Sequence, residues 1–298
     1  MQKNPIRIYI VTTGRSYSPE SEAYRDFFEA AGHECTLGPR KRSAFNSFDV
    51  AILFNGLNPF WHKYPLVVVG EYQSLSTGEF RRAKDAIKRF VNRRSDVKVF
   101  LNHYVRKNMG YRDSAEFVYR PMGFFHAPKP SSKRKEFDIV YAGSERQGVA
   151  EAAVKLANLG LSVLLVGQFQ NFKHPKITVH EPVSPQSVWE LLDRASIGLN
   201  LVPFRRPFIY QDSTKVIEYA SRGLGILSNS YPWVDDFFAT RGGRYLKIDD
   251  VSDADSVRAF EYRTPKVGDR EWNEVLAEAR LLAFIERAVA LKQQLTEC

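Results

Sequence analysis

Short apolar runs alternate along the first half of the chain with segments whose apolar residues recur every three or four positions. Strands are predicted for the runs at 6–13, 49–55, 65–70, 97–102 and 116–120. Helices are predicted for 19–31 and 79–94. Strands that alternate with helices are typical of a parallel sheet with crossover helices, so the pattern predicts an α/β domain.

The second helix carries one apolar stripe at helical spacing, formed by Phe80, Ala83, Ile87, Phe90 and Val91. Its other face is almost wholly Arg and Lys. Together with the basic cluster at 40–42, this helix is a candidate for contact with an anionic membrane surface. The aromatic segment 58–65 is a candidate for the same interface or for the lining of an acceptor cleft, and a local loop core is the alternative.

A second α/β series follows residues 126–136, which are rich in Pro, Ser and Lys and read as a linker. The predicted strands of this series are 137–143, 161–167, 176–180, 196–203, 225–229 and 244–248, and the predicted helices are 147–159, 185–194, 213–222 and 270–294. The pattern therefore predicts two Rossmann-like domains facing a cleft, with limits at 1–128 and 137–270. Residues 271–298 are expected to form a helix that packs back across both domains.

Charge divides the chain unevenly. Residues 1–130 hold 21 Lys and Arg against 12 Asp and Glu, so the whole excess of +9 lies in the first half. Such asymmetry favours an anionic partner: a phospholipid surface, a pyrophosphate-linked acceptor or a nucleic acid. A solvated face that aids solubility is the alternative.

Several classes of protein and site are not indicated by the sequence. No apolar run approaches the roughly 18–20 residues that span a bilayer, and the N-terminus does not resemble a signal peptide. Two cysteines, Cys35 and Cys298, give neither a disulfide framework nor a metal cluster. We expect a cytoplasmic protein, peripheral at most to the inner face of the membrane, with no cofactor and no metal site.

The most informative stretch is 201–230, where a basic loop with Arg205 leads into a helix. Asp212, Ser213 and Thr214 are candidates for the helix N-cap. A helix N-terminus offers unpaired amides and a positive dipole end, which together favour a diphosphate. A cation in the first turn, Lys215, opposes the dipole and is better explained by an anionic ligand than by helix stability. An ordinary βα unit with a surface Glu218 is the alternative.

These residues carry a resemblance to a known family. Ser213, Thr214, Lys215, Glu218 and Gly223, followed by an apolar strand, resemble the donor-binding segment of the group 1 (family 4-like) GT-B glycosyltransferases. The resemblance covers residues 137–240. It implies a nucleotide-sugar donor, a ribose contact for Glu218 and diphosphate contacts for the residues before it.

The resemblance also assigns residues upstream of this helix. The segment DIVYAGSERQG is similar to the first turn of the family's donor domain, which places Gly143, Ser144 and Arg146 near the phosphates. The turn that begins at His180 would lie against the nucleobase. Many members have another glutamate eight positions before the one that Glu218 matches, and in this chain Tyr210 occupies that position. That departure leaves the sugar and the stereochemistry open, with Asp212 as a candidate substitute.

The first half offers weaker candidates for catalysis and acceptor binding. Thr13, Gly14 and Arg15 follow the first strand, where family members present a glycine-containing loop to the cleft. Glu71 follows a strand that is predicted to be central in the sheet, where a carboxylate can act as a general base. His103 is similarly placed. An ordinary βα turn, an ion pair with an arginine and a structural histidine are the respective alternatives.

The function implied is transfer of a hexose, most simply from a UDP-sugar, to a glycan or lipid-pyrophosphate-linked glycan of a bacterial surface polysaccharide. Nucleic acid is not expected as a partner, because no reader motif accompanies the basic residues. A nucleotide-sugar 2-epimerase of the same fold and a catalytically inactive GT-B partner subunit remain as alternatives.

Overall fold

The computed structural model of the protein describes residues 4–12, 18–39, 47–54, 67–91, 95–112, 116–126, 128, 135–169 and 172–297. The chain divides into two compact units. One contains residues 1–123 together with 271–298, and the other contains residues 124–270. The domain limits given by the sequence stay predictions.

The first unit is a six-stranded parallel sheet with helices. Its elements in chain order are β1 (Arg7–Val11), α1 (Pro19–Ala30), β2 (Glu34–Gly38), β3 (Val50–Phe54), β4 (Val67–Tyr72), α2 (Arg81–Val91), β5 (Val97–Phe100), α3 (His103–Met109) and β6 (Glu116–Tyr119), with the C-terminal helices α9 (Trp272–Glu278) and α10 (Leu281–Glu297). The strand order is β2-β1-β3-β4-β5-β6. Every neighbouring pair is parallel.

The sequence of the central strands explains their position in this sheet. All six residues of β4 are buried, and β3 and β5 are buried along most or all of their length. Continuous runs of Val, Ile and Leu are typical of parallel strands covered on both faces, because no face is left for polar residues. By contrast, β2 at the sheet edge is only partly buried.

The second unit is also a six-stranded parallel sheet. Its elements are β7 (Phe137–Ala142), α4 (Val149–Asn158), β8 (Val163–Val166), β9 (Ile177–His180), α5 (Pro185–Asp193), β10 (Ala195–Asn200), α6 (Thr214–Ser221), β11 (Gly225–Ser228), α7 (Pro232–Arg241), β12 (Leu246–Lys247) and α8 (Ala254–Ala259). The strand order is β12-β11-β10-β7-β8-β9, again with parallel pairs throughout. This is the order of a doubly wound dinucleotide-binding sheet. The predicted α/β class is confirmed.

Among the strands and α-helices that the structure describes, four were not predicted from the sequence: β2, α3, α7 and α8. The prediction of one continuous helix over 270–294 was wrong. The segment forms two helices, since α9 ends at Glu278 and α10 begins at Leu281. Arg280 lies between them with φ 53, a left-handed conformation that interrupts an α-helix.

Candidate functional site

The centre of the second sheet contains a topological switch point. β7 and β10 are neighbours, and the chain leaves them towards opposite edges of the sheet, to β8 on one side and β11 on the other. In open α/β sheets ligands bind outside the carboxyl ends of the strands at such a point. The loops that follow these two strands are 143–148 and 201–213, which contain most of the predicted donor-site residues.

The start of α6 forms one side of this site. Ser213 is the N-cap, and its Oγ accepts a hydrogen bond from the Val216 amide at 3.4 Å. The same Oγ donates to Asn200 Oδ1 at 2.8 Å. The predicted helix start is therefore confirmed. The amides of the first turn of an α-helix have no acceptor within the helix, and they carry the positive end of its dipole.

Lys215, in the first turn of α6, is the most unusual charge at this site. Its Nζ lies 4.9 Å from the centroid of the Tyr141 ring. Among the ion pairs between described residues, none involves Lys215 or Arg146. Burial, and secondarily the positive charge of Arg146, lower the pKa of Lys215 to about 8, although Glu218 opposes the shift. A bound anion would relieve both of these costs.

Gly143 makes room for the Lys215 ammonium. It follows β7 with φ 137, a conformation that L side chains rarely adopt. A Cβ atom at this position would lie 2.6 Å from Lys215 Nζ, so a side chain there would displace the ammonium. The carbonyl of the next residue, Ser144, accepts a hydrogen bond from the Tyr141 hydroxyl at 3.1 Å, which orders the loop. Arg146 is exposed in the same loop, just before α4.

Tyr219 fixes α6 against the sheet, and sequence reasoning assigned it no role. The side chain is completely buried, and its hydroxyl accepts a hydrogen bond from the Ala142 amide at 3.1 Å. Its ring packs directly on Gly198 of β10, where any Cβ atom would overlap it. A glycine inside a buried strand was the available signal, because it often marks a close approach. Tyr219 thus joins α6 to the end of β7 and to the interior of β10.

Asn200 is a second residue that sequence reasoning missed. It is the last residue of β10 and is buried. Its Nδ2 donates to Ser228 Oγ at 2.8 Å and to the Tyr231 hydroxyl at 3.1 Å, while its Oδ1 accepts from Ser213. This network satisfies every polar group of the Asn200 amide and holds the N-cap of α6 in place.

The other predicted donor-site residues also lie at or after the carboxyl ends of strands in this sheet, but their surroundings differ. His180 ends β9 and is exposed, with Nδ1 3.1 Å from the Glu181 carbonyl oxygen. Arg205 is exposed, and its guanidinium carbon lies 5.7 Å from the Phe208 ring centroid. The Asp212 carboxylate is 3% exposed and pairs with Arg270 at 2.9 Å. That pair orders the loop before α6, whereas Thr214 and Glu218 lie on α6 itself and are partly exposed.

The catalytic candidates of the first unit lie in contrasting surroundings. The Glu71 carboxylate is completely buried: one oxygen accepts from Arg120, and the other accepts from the Tyr24 hydroxyl at 2.6 Å. Burial raises the pKa of Glu71, and Arg120 and Tyr24 oppose that rise. Because both oxygens are used inside the unit, this geometry favours the structural ion pair over the general base.

His103 lies three positions after β5, near a strand end as the sequence predicts, and is the first residue of α3. The side chain is exposed, and its Nδ1 lies 3.2 Å from the Tyr119 hydroxyl. The acceptor-side candidates Thr13, Gly14 and Arg15 lie outside the described residues, as do the basic cluster at 40–42 and the aromatic segment at 58–65.

The described part of the chain contains neither a metal-binding cluster nor a membrane-spanning helix. Within it, no group of three or more His, Cys, Asp or Glu is arranged to hold a metal ion. No described helix combines the length and the apolar character needed to cross a bilayer.

Solved structures with the same fold include sugar-nucleotide enzymes. AviGT4, a glycosyltransferase involved in avilamycin A biosynthesis, is 14% identical with a TM-score of 0.60, covering 96% of this chain and 98% of its own. The chain has the GT-B fold. An α-glucosyltransferase in complex with UDP and a 13-mer DNA is 12% identical (TM-score 0.52), with 96% and 94% covered. A putative UDP-N-acetylglucosamine 2-epimerase from Listeria monocytogenes is 11% identical (TM-score 0.51), with 95% and 96% covered.

The sequence itself has no such matches. No protein-family model matches the chain, and no curated protein matches it by sequence. The low identities mean that the solved structures establish the fold alone.

Proposed function

We propose that the protein is a glycosyltransferase that holds the diphosphate of a nucleotide-sugar donor at the start of α6. One observation carries the proposal: Lys215 places a cation without an ion-pair partner among the described residues in the first turn of a helix, against Gly143. Helix stability does not explain a cation there, because the helix dipole and burial both disfavour it. The Tyr141 ring and Glu218 offset this cost only in part, since the pKa of Lys215 is still lowered. A diphosphate favours the same position for both reasons.

Each residue of the site has a role in this proposal. The α6 amides and Lys215 bind the diphosphate, and Arg146 approaches it from the loop after β7. These charges stabilise the negative charge that develops on the leaving nucleoside diphosphate. Glu218, one turn along α6, accepts hydrogen bonds from the ribose hydroxyls. His180, at the end of β9, lies against the base.

The chemistry that follows is substitution at the anomeric carbon. The bond from that carbon to the diphosphate oxygen breaks, an acceptor hydroxyl forms the new glycosidic bond, and its proton passes to solvent or a base. We propose a UDP-hexose as the donor, supported by the UDP named for two proteins of this fold. The proposed acceptor is a glycan, or a lipid-pyrophosphate-linked glycan of a bacterial surface polysaccharide, which suits the excess of +9 in residues 1–130.

A nucleotide-sugar 2-epimerase is the second candidate, because a putative enzyme of that kind shares the fold. Epimerisation needs an acid and a base beside the sugar, whereas the site at the start of α6 is dominated by cations.

A thermal-shift panel of UDP, GDP, ADP and their sugar conjugates tests the donor site. A ligand at about one hundred times its Kd stabilises by about 2.7 kcal/mol. If no nucleotide raises the melting temperature, the proposal fails.

Incubation of the protein with the stabilising donor alone separates the two reactions. An epimerase converts the donor without an acceptor, while a transferase releases nucleoside diphosphate at an appreciable rate only when an acceptor hydroxyl is supplied. Binding with neither reaction, across a panel of acceptors, would instead indicate the inactive partner subunit.

A further inference from the structure

The helix α2 is attached to the first unit by its polar side. Asp85 is buried, and its Oδ1 accepts a hydrogen bond from the Ser76 amide at 2.9 Å. Arg89 Nη1 donates to the Met109 carbonyl oxygen, at the end of α3, at 3.1 Å. Polar contacts therefore hold this helix in place, whereas the usual surface helix packs its apolar face on the core.

The apolar stripe of α2 faces solvent as a consequence. Phe80 is 79% exposed, Ile87 is 54% exposed and Phe90 is 82% exposed. At about 100° per residue, Ala83, Ile87 and Phe90 lie roughly opposite Asp85 around the helix axis. These side chains form one exposed apolar ridge, with Phe80 at the end where the helix begins.

The backbone conformation at Phe80 reinforces this arrangement. Its φ is 54, in the left-handed region, which is a genuine outlier for a bulky side chain. Its carbonyl oxygen accepts the Lys84 amide at 2.9 Å, so the residue belongs to the start of α2. Strained conformations of this kind persist at binding sites more often than elsewhere.

Positive charge surrounds the ridge. α2 contains five Arg and Lys and a single acid, Asp85, which is buried. The adjoining α3 contains Arg106 and Lys107 and no acid. Arg81, Arg82 and Lys84 are exposed in the first turn of the helix, and Lys84 lies beside the ridge, about 80° from its middle, so a surface that approaches the rings also meets cations.

We infer that α2 docks the protein on an anionic lipid bilayer, with Phe80, Ile87 and Phe90 in the boundary between headgroups and acyl chains. An interfacial helix has this composition, since its apolar face needs a hydrocarbon layer and its cations need lipid phosphates. A second copy of the chain would oppose two positive faces, and a nucleic acid phosphate backbone offers no apolar layer to Ile87. The inference does not depend on the donor or on catalysis.

Co-flotation of the full chain with vesicles tests this docking. Vesicles of phosphatidylcholine alone are compared with vesicles containing about one third phosphatidylglycerol. We expect binding only to the anionic vesicles, weakened by salt. The F80S/F90S double variant should lower the partition coefficient at least about tenfold, because two large apolar side chains no longer enter the boundary. Lys84→Gln, at the cation beside the ridge, should lower it about fivefold.

The controls separate docking from folding and from general stickiness. Leu291→Ser removes a 55% exposed apolar side chain on α10 and should leave vesicle binding unchanged. The melting temperature of F80S/F90S should equal that of the unsubstituted chain, since both rings are exposed. The inference is overturned if anionic vesicles are not bound, or if the double variant binds them equally well. It is also overturned if the ridge instead mediates self-association or single-stranded DNA binding without vesicle binding.

Discussion

The strongest test of the donor site is Lys215→Met, which removes the ammonium and keeps a side chain of similar length. The charge-assisted contact that is lost with a diphosphate is worth about 1.5–3 kcal/mol. This corresponds to a Kd for UDP that is weaker by about 10- to 150-fold. Most structural lysines would show no such loss, because they do not contact the ligand.

The same substitution should not destabilise the free protein. Burial is the main reason that the pKa of Lys215 falls from its ordinary 10.5 to about 8, which means that folding penalises the charged form. Allowing for solvent screening of this partly exposed group, we expect Lys215→Met to be as stable as the unsubstituted protein or on the order of 1–2 kcal/mol more stable. A substitution that weakens ligand binding but preserves or raises the stability of the free protein indicates that the original cation serves binding and not folding.

The assay combines calorimetric titration of UDP with thermal unfolding. At about one hundred times the original Kd, UDP should stabilise the unsubstituted protein by about 2.7 kcal/mol. A variant with about 30-fold weaker binding should gain only about 0.9 kcal/mol at the same concentration. Lys176→Met is the matched control. Lys176 is exposed in the same unit and lies just before β9, at the amino end of that strand, whereas the proposed site lies at the carboxyl ends of the strands. A Kd for Lys215→Met within about twofold of the control would refute the reasoning.

Three further predictions follow from the same contacts. Gly143→Ala should weaken UDP binding on the order of tenfold, because the new Cβ would lie 2.6 Å from Lys215 Nζ. UDP binding should weaken as the pH rises above about 8 and should take up protons there, because the anion raises the pKa of Lys215, and calorimetry in buffers of different ionisation enthalpy measures this uptake. Glu71→Gln should lower the free energy of unfolding in urea by about 3–5 kcal/mol, because it leaves the buried Arg120 guanidinium without its carboxylate.

Each of these predictions has a control or an outcome that contradicts it. Gly160 also has a positive φ, 99, but no atom lies within 4 Å of a Cβ built there. Gly160→Ala therefore introduces the same kind of backbone strain without a clash, and it should leave the affinity for UDP unchanged. Glu261→Gln breaks an exposed ion pair with Arg244 and should change stability by less than about 1 kcal/mol. Binding that is independent of pH between about 7 and 9.5 would place the Lys215 ammonium away from the ligand.

The pH dependence of stability provides a consistency check on Lys215. Its pKa is lowered in the folded protein, so its ammonium is disfavoured by folding at pH values where it remains charged in the unfolded chain. The contribution of this group to stability therefore rises as the pH increases from about 8 to about 10.5. Lys215→Met should remove that rise, which can be measured by comparing urea unfolding of both proteins across this range.

The start of α6 shows how far local sequence can determine a site. Ser213 can cap a helix because its hydroxyl reaches the third amide, and Gly223 can end one because it tolerates φ 71. Both residues are recognisable without neighbours. The strand β4 was also recognisable, because the apolar run within 65–70 is short and rich in Val, as is typical of a covered parallel strand.

Elements with a weaker local pattern were missed for physical reasons. β2 lies at a sheet edge, where mixed burial obscures the strand signal. α7 buries Val234, Phe237 and Phe238 on one face, but Arg241 falls on that same face, so the apolar stripe extends over little more than one turn. Arg280 breaks the C-terminal helix in two, although arginine is a good helix former, so no local signal predicts the break.

The sequence by itself determined where most of the strands and helices form, because burial of one face or of both gives apolar residues a characteristic spacing. Only the tertiary structure decided which strand ends meet. β7 and β10 are separated by more than fifty residues, and their adjacency brings Gly143 beside Lys215. It also decided that the ridge on α2 faces outward and that the Glu71 carboxylate is buried against Arg120. A regular spacing of apolar residues indicates that one face of an element is suited to burial. What covers that face depends on contacts between distant parts of the chain.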